Sequence, residues 1–145
     1  MSRHLEATIE SFPIAGGFTI SRGTKTEALV VTCRISDGTA IGLGECVPYA
    51  RYGETLDGVL ADIVAIAPAI AAGMTRETLQ SAMKPGAARN AVDCALWDLE
   101  AKLSGTTVAG RILTSPPQPL ITAYTISLGE PGTMAAKAAE NAHRP

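Results

Sequence analysis

The sequence has few aromatic residues, few cysteines, little net charge and no long hydrophobic run, and these shortages exclude several classes of protein. The three cysteines, Cys33, Cys46 and Cys94, lack CxxC spacing, so neither a disulfide framework nor a zinc site is predicted. A formal charge of -2 lacks the basic excess that favours a nucleic-acid partner. The longest nearly apolar run, residues 63–74, is about half of the ~20 residues that cross a bilayer. No secretory signal opens the chain, so we expect a cytoplasmic protein with no membrane or nucleic-acid partner.

The composition that remains is globular, because 46% of the 145 residues are hydrophobic and 18% are charged. Residues 27–36 alternate apolar and polar side chains, which predicts a strand. The Asp37-Gly38 pair predicts a tight hairpin turn with positive φ at both residues, and residues 39–46 predict the returning strand. With an earlier strand over residues 4–12, the sequence predicts a three-stranded antiparallel sheet. Residues 13–26 are predicted to be a long loop between the first two strands.

Helical patterns follow the sheet. Thr55 is predicted to cap a helix that Pro68 kinks or ends, and Thr75 is predicted to cap a short second helix. A third helix spans residues 87–104 and ends at Gly105. Its predicted buried stripe consists of Val92, Leu96, Leu99 and Leu103.

Charged residues on the third helix are spaced for ion pairs and not for a metal. Arg89 and Asp93 lie four residues apart, as do Asp98 and Lys102. Asp93 and Asp98 point about 140° apart around the helix and cannot share an ion. We therefore expect no metal ligand on this helix.

The pattern changes after residue 114. Residues 115–119 hold three of the nine prolines, which prevents the helix from continuing. Residues 121–129 then predict a strand and residues 131–144 predict a helix. A strand followed by a helix is typical of a βα unit, a different class from the antiparallel meander.

The third helix also carries a family signature. Residues 90–105, NAVDCALWDLEAKLSG, resemble the helical signature of the mandelate racemase and muconate-lactonizing branch of the enolase superfamily. The matching residues are Ala88, Asn90, Ala91, Val92, Asp93, Ala95, Leu96, Asp98, Leu99, Ala101 and Lys102. Residues 18–28, FTISRGTKTEA, together with residues 44–55, GECVPYARYGET, resemble the dipeptide epimerases within that branch.

This resemblance implies an α+β fold in which an enolase-type N-terminal capping domain precedes a TIM-like (β/α)7β barrel. The capping domain, a three-stranded meander with a helical bundle, would cover residues 1–114. A Pro-rich linker would cover residues 115–120. Residues 121–145 would then be the first strand and helix of an incomplete barrel.

The resemblance further implies a dipeptide epimerase, an isomerase that inverts an amino-acid α-carbon by 1,1-proton transfer through an enediolate. In that family the barrel carries the catalytic lysines and the acidic residues that bind Mg2+. We therefore expect no catalytic residue and no metal ligand in this chain, which alone would be inactive. Its expected partners are its own C-terminal barrel domain, a small dipeptide substrate and, in some assemblies, further copies of itself.

Four residues are candidates for substrate binding, and three of them lie in two irregular segments, residues 13–26 and residues 47–55, that are similar to the specificity loops of the family. Arg22 matches an arginine that approaches a substrate carboxylate, although a solvated loop arginine is the simpler interpretation. Arg51 and Tyr52 would line the same pocket, or would simply be exposed. Thr125, on the first barrel strand with Ala123 and Ser127, would reach the substrate or serve only as a strand former. Glu45 either braces the nearby loop or is a plain exposed glutamate.

Two other functions fit the same sequence. Another enzyme of the branch, such as an N-acylamino acid racemase, an o-succinylbenzoate synthase or a cycloisomerase, would use the same scaffold. A non-catalytic binding module would instead expose an apolar face and associate through it.

Overall fold

The computed structural model describes residues 2–144, which form two compact units. Of the described residues, the first unit contains 2–11 and 29–116, and the second contains 12–28 and 117–144. Along the chain the change of unit after Pro116 falls inside the predicted linker, but residues 12–28, which were assigned to the capping domain, group with the second unit. Met1 and Pro145, the outer limits of the predicted domains, lie outside the described residues.

The predicted three-stranded antiparallel sheet is confirmed. Its strands are β1 (His4–Ile20), β2 (Gly23–Ser36) and β3 (Ile41–Cys46), in the order β1-β2-β3. The register of the second pair places Cys33 opposite Gly44. From Val31 to Ser36 the buried side chains of β2 alternate with less buried ones, as the period-two pattern requires, whereas Val30 and Val31 are both buried.

The prediction of an irregular loop over residues 13–26 is wrong, because β1 and β2 continue through it as a long hairpin arm. Gly16 and Gly17 take positive φ values of 73° and 72°, which glycine tolerates, so the strand passes through them. Near the end of the arm the hydroxyls of Thr19 and Thr24 lie 2.9 Å apart. Paired backbone therefore replaces the expected loop.

The second hairpin is confirmed, but its predicted turn type is wrong. Strands β2 and β3 are joined by four residues, and among the described residues no non-glycine residue has positive φ, so only Gly38 (93°) adopts it here. Asp37 Oδ1 instead accepts hydrogen bonds from the N–H groups of Thr39 (2.9 Å) and Ala40 (3.0 Å). A side-chain acceptor closes the turn, so Asp37 itself needs no left-handed backbone.

Five helices follow the sheet: α1 (Leu56–Ala65), α2 (Ala67–Ala71), α3 (Arg76–Ala82), α4 (Ala87–Ser104) and α5 (Val108–Ile112). Helix α4 packs on β3, and α1, α3 and α5 pack against α4. Thr55 and Thr75 cap α1 and α3 as predicted, and the helix breaks just before Pro68. Gly105 ends α4 in the left-handed conformation, with φ 65°. Helix α5, which Thr107 caps, was not predicted.

Helix α4 lies directly on the backbone of β3. A Cβ atom added at Gly42 would overlap the carbonyl oxygen of Ala95 and come within 2.7 Å of Leu99, and one at Gly44 would overlap the carbonyl oxygen of Ala91. Beside this contact Val92, Leu96 and Leu99 are fully buried, as predicted. Leu103 is 47% exposed, so its predicted place in the stripe is wrong, because the helix has passed the end of β3 there.

The edge of β3 that does not face β2 is covered by polar side chains of α4. Asp98 Oδ2 accepts a hydrogen bond from the Leu43 N–H (2.8 Å), and Lys102 Nζ donates to the Ile41 carbonyl (2.7 Å). The predicted pair of Asp98 and Lys102 is confirmed at 2.7 Å. The predicted pair of Arg89 and Asp93 is wrong, because Arg89 donates to the Gln80 carbonyl (3.1 Å) instead.

In the second unit, the strand predicted over residues 121–129 is wrong, because these residues have no regular secondary structure. A strand needs a series of backbone hydrogen bonds to a neighbouring strand along its length. The bond from the Leu128 N–H to the Thr19 carbonyl (2.9 Å), near the tip of the β1–β2 arm, is a single contact and does not form such a series. Helix α6 (Pro131–Asn141) follows as predicted. Among the described residues, none of the helices is long and apolar enough to cross a membrane.

Replacing Gly42 with alanine should destabilise the protein by about 3 kcal/mol or more, because the added methyl meets backbone that cannot rotate away. Urea unfolding followed by circular dichroism measures this. Gly132→Ala is the matched control, since nothing lies within 4 Å of the Cβ added there. A Gly42→Ala protein as stable as the control would contradict the close approach of α4 to β3.

Replacing Asp98 with alanine should cost about 1–2 kcal/mol of folding free energy, because the Leu43 N–H loses its acceptor and Lys102 loses its partner. Asp62→Ala, which breaks an exposed pair with Lys84 at 3.6 Å, should cost less than about 0.5 kcal/mol. Denaturant midpoints of both variants decide the matter. Equal small losses would show that the polar cover of the β3 edge adds no stability.

Candidate functional site

An open cleft of about 1120 Å3 lies within the first unit. Its walls come from the segment after β3, from α1, from the end of α3 and from the start of α4. The side chains of Tyr49, Tyr52, Glu54, Lys84 and Asn90 give it polar groups beside apolar walls. Residues 44–55, GECVPYARYGET, therefore border a concave surface, which is where small ligands usually bind.

The candidate loop, residues 47–55, contains one turn of 3-10 helix, Ala50–Tyr52. The Tyr52 N–H bonds to the Tyr49 carbonyl (2.9 Å), and the Gly53 N–H bonds to the Ala50 carbonyl (3.0 Å). Gly53 closes the turn with φ 75°, a left-handed conformation that glycine adopts without strain. The rings of Tyr49 and Tyr52 lie 6.2 Å apart between centroids, within the range of aromatic pairs.

Glu54 joins this turn to the beginning of α4. Its Oε2 accepts a hydrogen bond from the Tyr49 N–H (3.0 Å), and its Oε1 accepts one from the Ala87 N–H (2.7 Å). The N-cap residue of α4, Gly86, has no side chain to cap the helix, so Glu54 supplies the missing acceptor. The N–H groups of Ala87 and Tyr49, with the charge of Lys84, lower the pKa of Glu54 below its ordinary value of 4.5.

Arg51 and Tyr52 lie together on this turn, and Tyr52 is 75% exposed. Arg51 is also exposed, and no hydrogen bond or ion pair to its guanidinium is seen among residues 2–144. Both side chains are thus free to meet a ligand. Their assignment to substrate binding stays a prediction.

Glu54, and not Glu45, braces the loop. Glu45 is exposed on β3 opposite Thr32, in the cross-strand register of the sheet. The sequence analysis missed Glu54, because one of its partners, Ala87, lies 33 residues away. The available signal was local: Glu54 directly precedes Thr55, the cap of α1, and thus ends an irregular segment between two ordered elements.

Arg22 and Thr125 both belong to the second unit. Arg22 lies in the two-residue turn between β1 and β2, fully on the surface, with no partner seen in the part of the chain that the structure describes. Thr125 is exposed in the segment that runs to Leu128. In that segment the Ser127 hydroxyl accepts a hydrogen bond from the Thr19 N–H (3.4 Å), which ties it to the β1–β2 arm. The sequence analysis had placed Ser127 with Thr125 on a predicted strand.

The cysteines are not activated nucleophiles. Burial raises the pKa of Cys33 to about 12 and, with the charge of Glu54 adding, that of Cys46 to about 11, so both stay protonated near neutral pH. Cys94, on α4, is exposed. Over residues 2–144, no three His, Cys, Asp or Glu side chains are grouped so that they could hold a metal ion.

The comparison with known families agrees with this fold and with the α4 signature. Residues 4–112 match the family described as the mandelate racemase / muconate lactonizing enzyme, N-terminal domain. The chain belongs to this family. The enolase-type capping fold that the sequence implied is thereby confirmed.

Relatives within the family include epimerases of dipeptides. The chain is 44% identical over 126 residues to the L-Ala-D/L-Glu epimerase of Escherichia coli (strain K12), covering 87% of the chain and 39% of that protein. It is 67% identical, with a TM-score of 0.92, to an enolase family member from Agrobacterium tumefaciens with homology to dipeptide epimerases, over 99% of this chain and 44% of that one. That crystal structure contains sodium and L-Ala-L-Glu with an ordered loop.

A more distant relative contains magnesium. The dipeptide epimerase from Enterococcus faecalis V583, complexed with Mg and L-Leu-L-Tyr, is 27% identical with a TM-score of 0.81, over 98% of this chain and 43% of that one. In each case the chain spans less than half the length of the relative.

The contribution of Glu54 to stability should depend on pH. Because its pKa is lowered in the folded protein, the carboxylate stabilises the fold above pH 4.5, and this gain is lost as the pH falls through the lowered pKa. The free energy of unfolding, compared between the unaltered protein and Glu54→Gln from pH 2 to pH 7, measures it. The difference should be largest near pH 7 and shrink towards pH 2. A difference that is constant with pH would contradict the role of the charge.

Proposed function

We propose that this chain is the substrate-capping part of a magnesium-dependent dipeptide epimerase, which inverts an amino-acid α-carbon by 1,1-proton transfer through an enediolate. The observation that carries the proposal is the 67% identity, along 99% of the chain, to an enolase family member that binds L-Ala-L-Glu. The identity to the epimerase of Escherichia coli supports the same substrate class. Residues 2–114 then act as the capping domain, and residues 121–144 begin the barrel.

The exposed cations of the chain suit a dipeptide, which carries a carboxylate at its C-terminus. A guanidinium offers paired N–H donors that match the two oxygens of a carboxylate. Arg22 and Arg51 are exposed and free of protein partners within residues 2–144, so binding a substrate breaks no ion pair. Tyr52 offers an apolar ring and a hydroxyl, and Thr125 a further hydroxyl. These four residues are our candidates for substrate binding.

The chemistry itself belongs, in this proposal, to the barrel domain that residues 121–144 begin. Proton transfer needs a base near the α-carbon, and the family resemblance places the catalytic lysines on the barrel. The described residues also hold no ligand cluster for the magnesium seen in the Enterococcus relative. The bases and the metal ligands are therefore assigned to the barrel, which is also the expected partner of this chain.

The test uses the complete protein and a panel of dipeptides in deuterated buffer. Proton NMR should show that an Ala-Glu type dipeptide loses its α-proton signal and yields the epimer. Turnover of N-acylamino acids in place of dipeptides would move the substrate to another enzyme of the branch. Absence of exchange with every compound would favour a non-catalytic binding module.

Replacing Arg22 with methionine should raise the KM for an Ala-Glu dipeptide about 10- to 100-fold with a smaller change in kcat, because a charge-assisted hydrogen bond is lost from substrate and transition state alike. Lys25→Met, an exposed cation on the same hairpin arm, is the matched control and should leave KM within about twofold. Initial rates over a range of dipeptide concentrations supply both constants. An unchanged KM in Arg22→Met removes this residue from the binding site.

A further inference from the structure

We propose that Glu54 is a positioning residue for the epimerase reaction, which holds Arg51 and Tyr52 in place for substrate by tying their turn to the N-terminus of α4. This inference rests on the proposed function for the identity of the reaction. The two hydrogen bonds by which Glu54 joins the turn to α4, called the tie below, rest only on the geometry of the first unit. Glu54 lies within residues 44–55, the stretch that resembles the dipeptide epimerases, but the sequence analysis gave it no role.

Burial does not hold the turn in place. None of the residues of the 3-10 turn is buried, and Tyr49 before it is 50% exposed. Apolar contact contributes in proportion to the area removed from water, so these residues gain little from it. A turn this exposed needs polar contacts to adopt one position.

Glu54 provides those contacts with two separate oxygens. Oε2 binds the Tyr49 N–H, at the start of the turn, and Oε1 binds the Ala87 N–H, in the first turn of α4. The Glu54 N–H also bonds to the Tyr49 carbonyl (3.3 Å), so Tyr49 is bound through both of its backbone groups. The far end of the tie is rigid, because Ala88, Ala91 and Val92 of α4 are buried in the core.

The absence of a side chain at Gly86 leaves room for this carboxylate. A Cβ atom added at Gly86 would lie 2.8 Å from Glu54 Oε1, closer than carbon and oxygen normally approach. A side chain at residue 86 would therefore displace the carboxylate from the helix. Gly86, the N-cap residue of α4, thus leaves the space that the Glu54 carboxylate occupies in place of a capping side chain.

The position of Tyr49 is passed on to the candidate binding residues. The Tyr49 carbonyl accepts the Tyr52 N–H at 2.9 Å, and the two rings are in contact. Arg51 lies between them in the turn. Loss of the tie should therefore disorder Arg51 and Tyr52 together, while the sheet and α4 remain folded.

The two oxygens predict a graded series of variants. Glutamine keeps one acceptor but presents an NH2 group to the other N–H, so Glu54→Gln retains one bond and loses one. Alanine loses both bonds. The KM for the dipeptide should therefore rise about 5-fold in Glu54→Gln and about 20-fold or more in Glu54→Ala, whereas kcat should change less.

Kinetics of the complete protein test the functional half of this inference. Glu77→Gln is the matched control, since Glu77 is, like Glu54, an acidic residue near the N-terminus of a helix, here α3, and has no contact with the loop. Its KM should equal that of the unaltered protein. An unchanged KM in Glu54→Ala, or an equal fall of kcat in all three variants, would overturn the positioning role. If the unaltered protein turns over no dipeptide, the proposed function fails instead.

Hydrogen exchange tests the tie without any substrate. In the complete protein, the Tyr49 and Tyr52 amides should exchange about tenfold faster or more in Glu54→Ala, while the amides of Val92 and Leu96 in α4 keep their protection. Retained protection in α4 shows that the variant is folded. Unchanged exchange at Tyr49 in a folded variant would overturn the tie, whatever the enzyme acts on.

Discussion

The close contact between α4 and the backbone of β3 is the constraint on which the first unit depends. Gly42 and Gly44 present no side chain to the helix, so the carbonyls of Ala91 and Ala95 lie where a methyl group would otherwise be. This contact sets the distance between helix and sheet, and Val92, Leu96 and Leu99 fill the remaining space as a dry core. Because backbone meets backbone, small adjustments of side chains cannot change it.

Helix α4 then serves as the reference for the elements around it. Towards its C-terminus, Asp98 and Lys102 bind the free edge of β3, which would otherwise be open to pairing with another chain. On another side, Arg76 of α3 stacks 3.4 Å above the ring of Trp97 and pairs with Glu100 at 3.0 Å. At its N-terminus, Glu54 fixes the candidate loop. One buried helix thus orients an edge strand, a neighbouring helix and a surface turn.

The sequence predicted those features that depend on neighbours along the chain. Thr55, Thr75 and Gly105 bound the helices where expected, because capping is a local interaction between residues three or four apart. The prediction of a strand over residues 121–129 was wrong because a strand depends on a distant partner, and alternation of side chains does not supply one. The length of the β1–β2 arm was missed for a related reason, since glycines that suggest a loop also permit an extended strand.

In the candidate site, too, features set by neighbouring residues were predictable and features set by distant residues were not. Exposure of Arg22, Arg51 and Tyr52 was foreseeable from their polar surroundings, whereas the support of the turn by Glu54 was not, because its partner Ala87 lies on another element. A binding turn faces conflicting demands, since side chains buried to hold it rigid would be lost to the ligand. Fixing the backbone through a carboxylate at the end of a buried helix resolves the conflict. The rings and the guanidinium stay exposed, while the turn that carries them is anchored to the core.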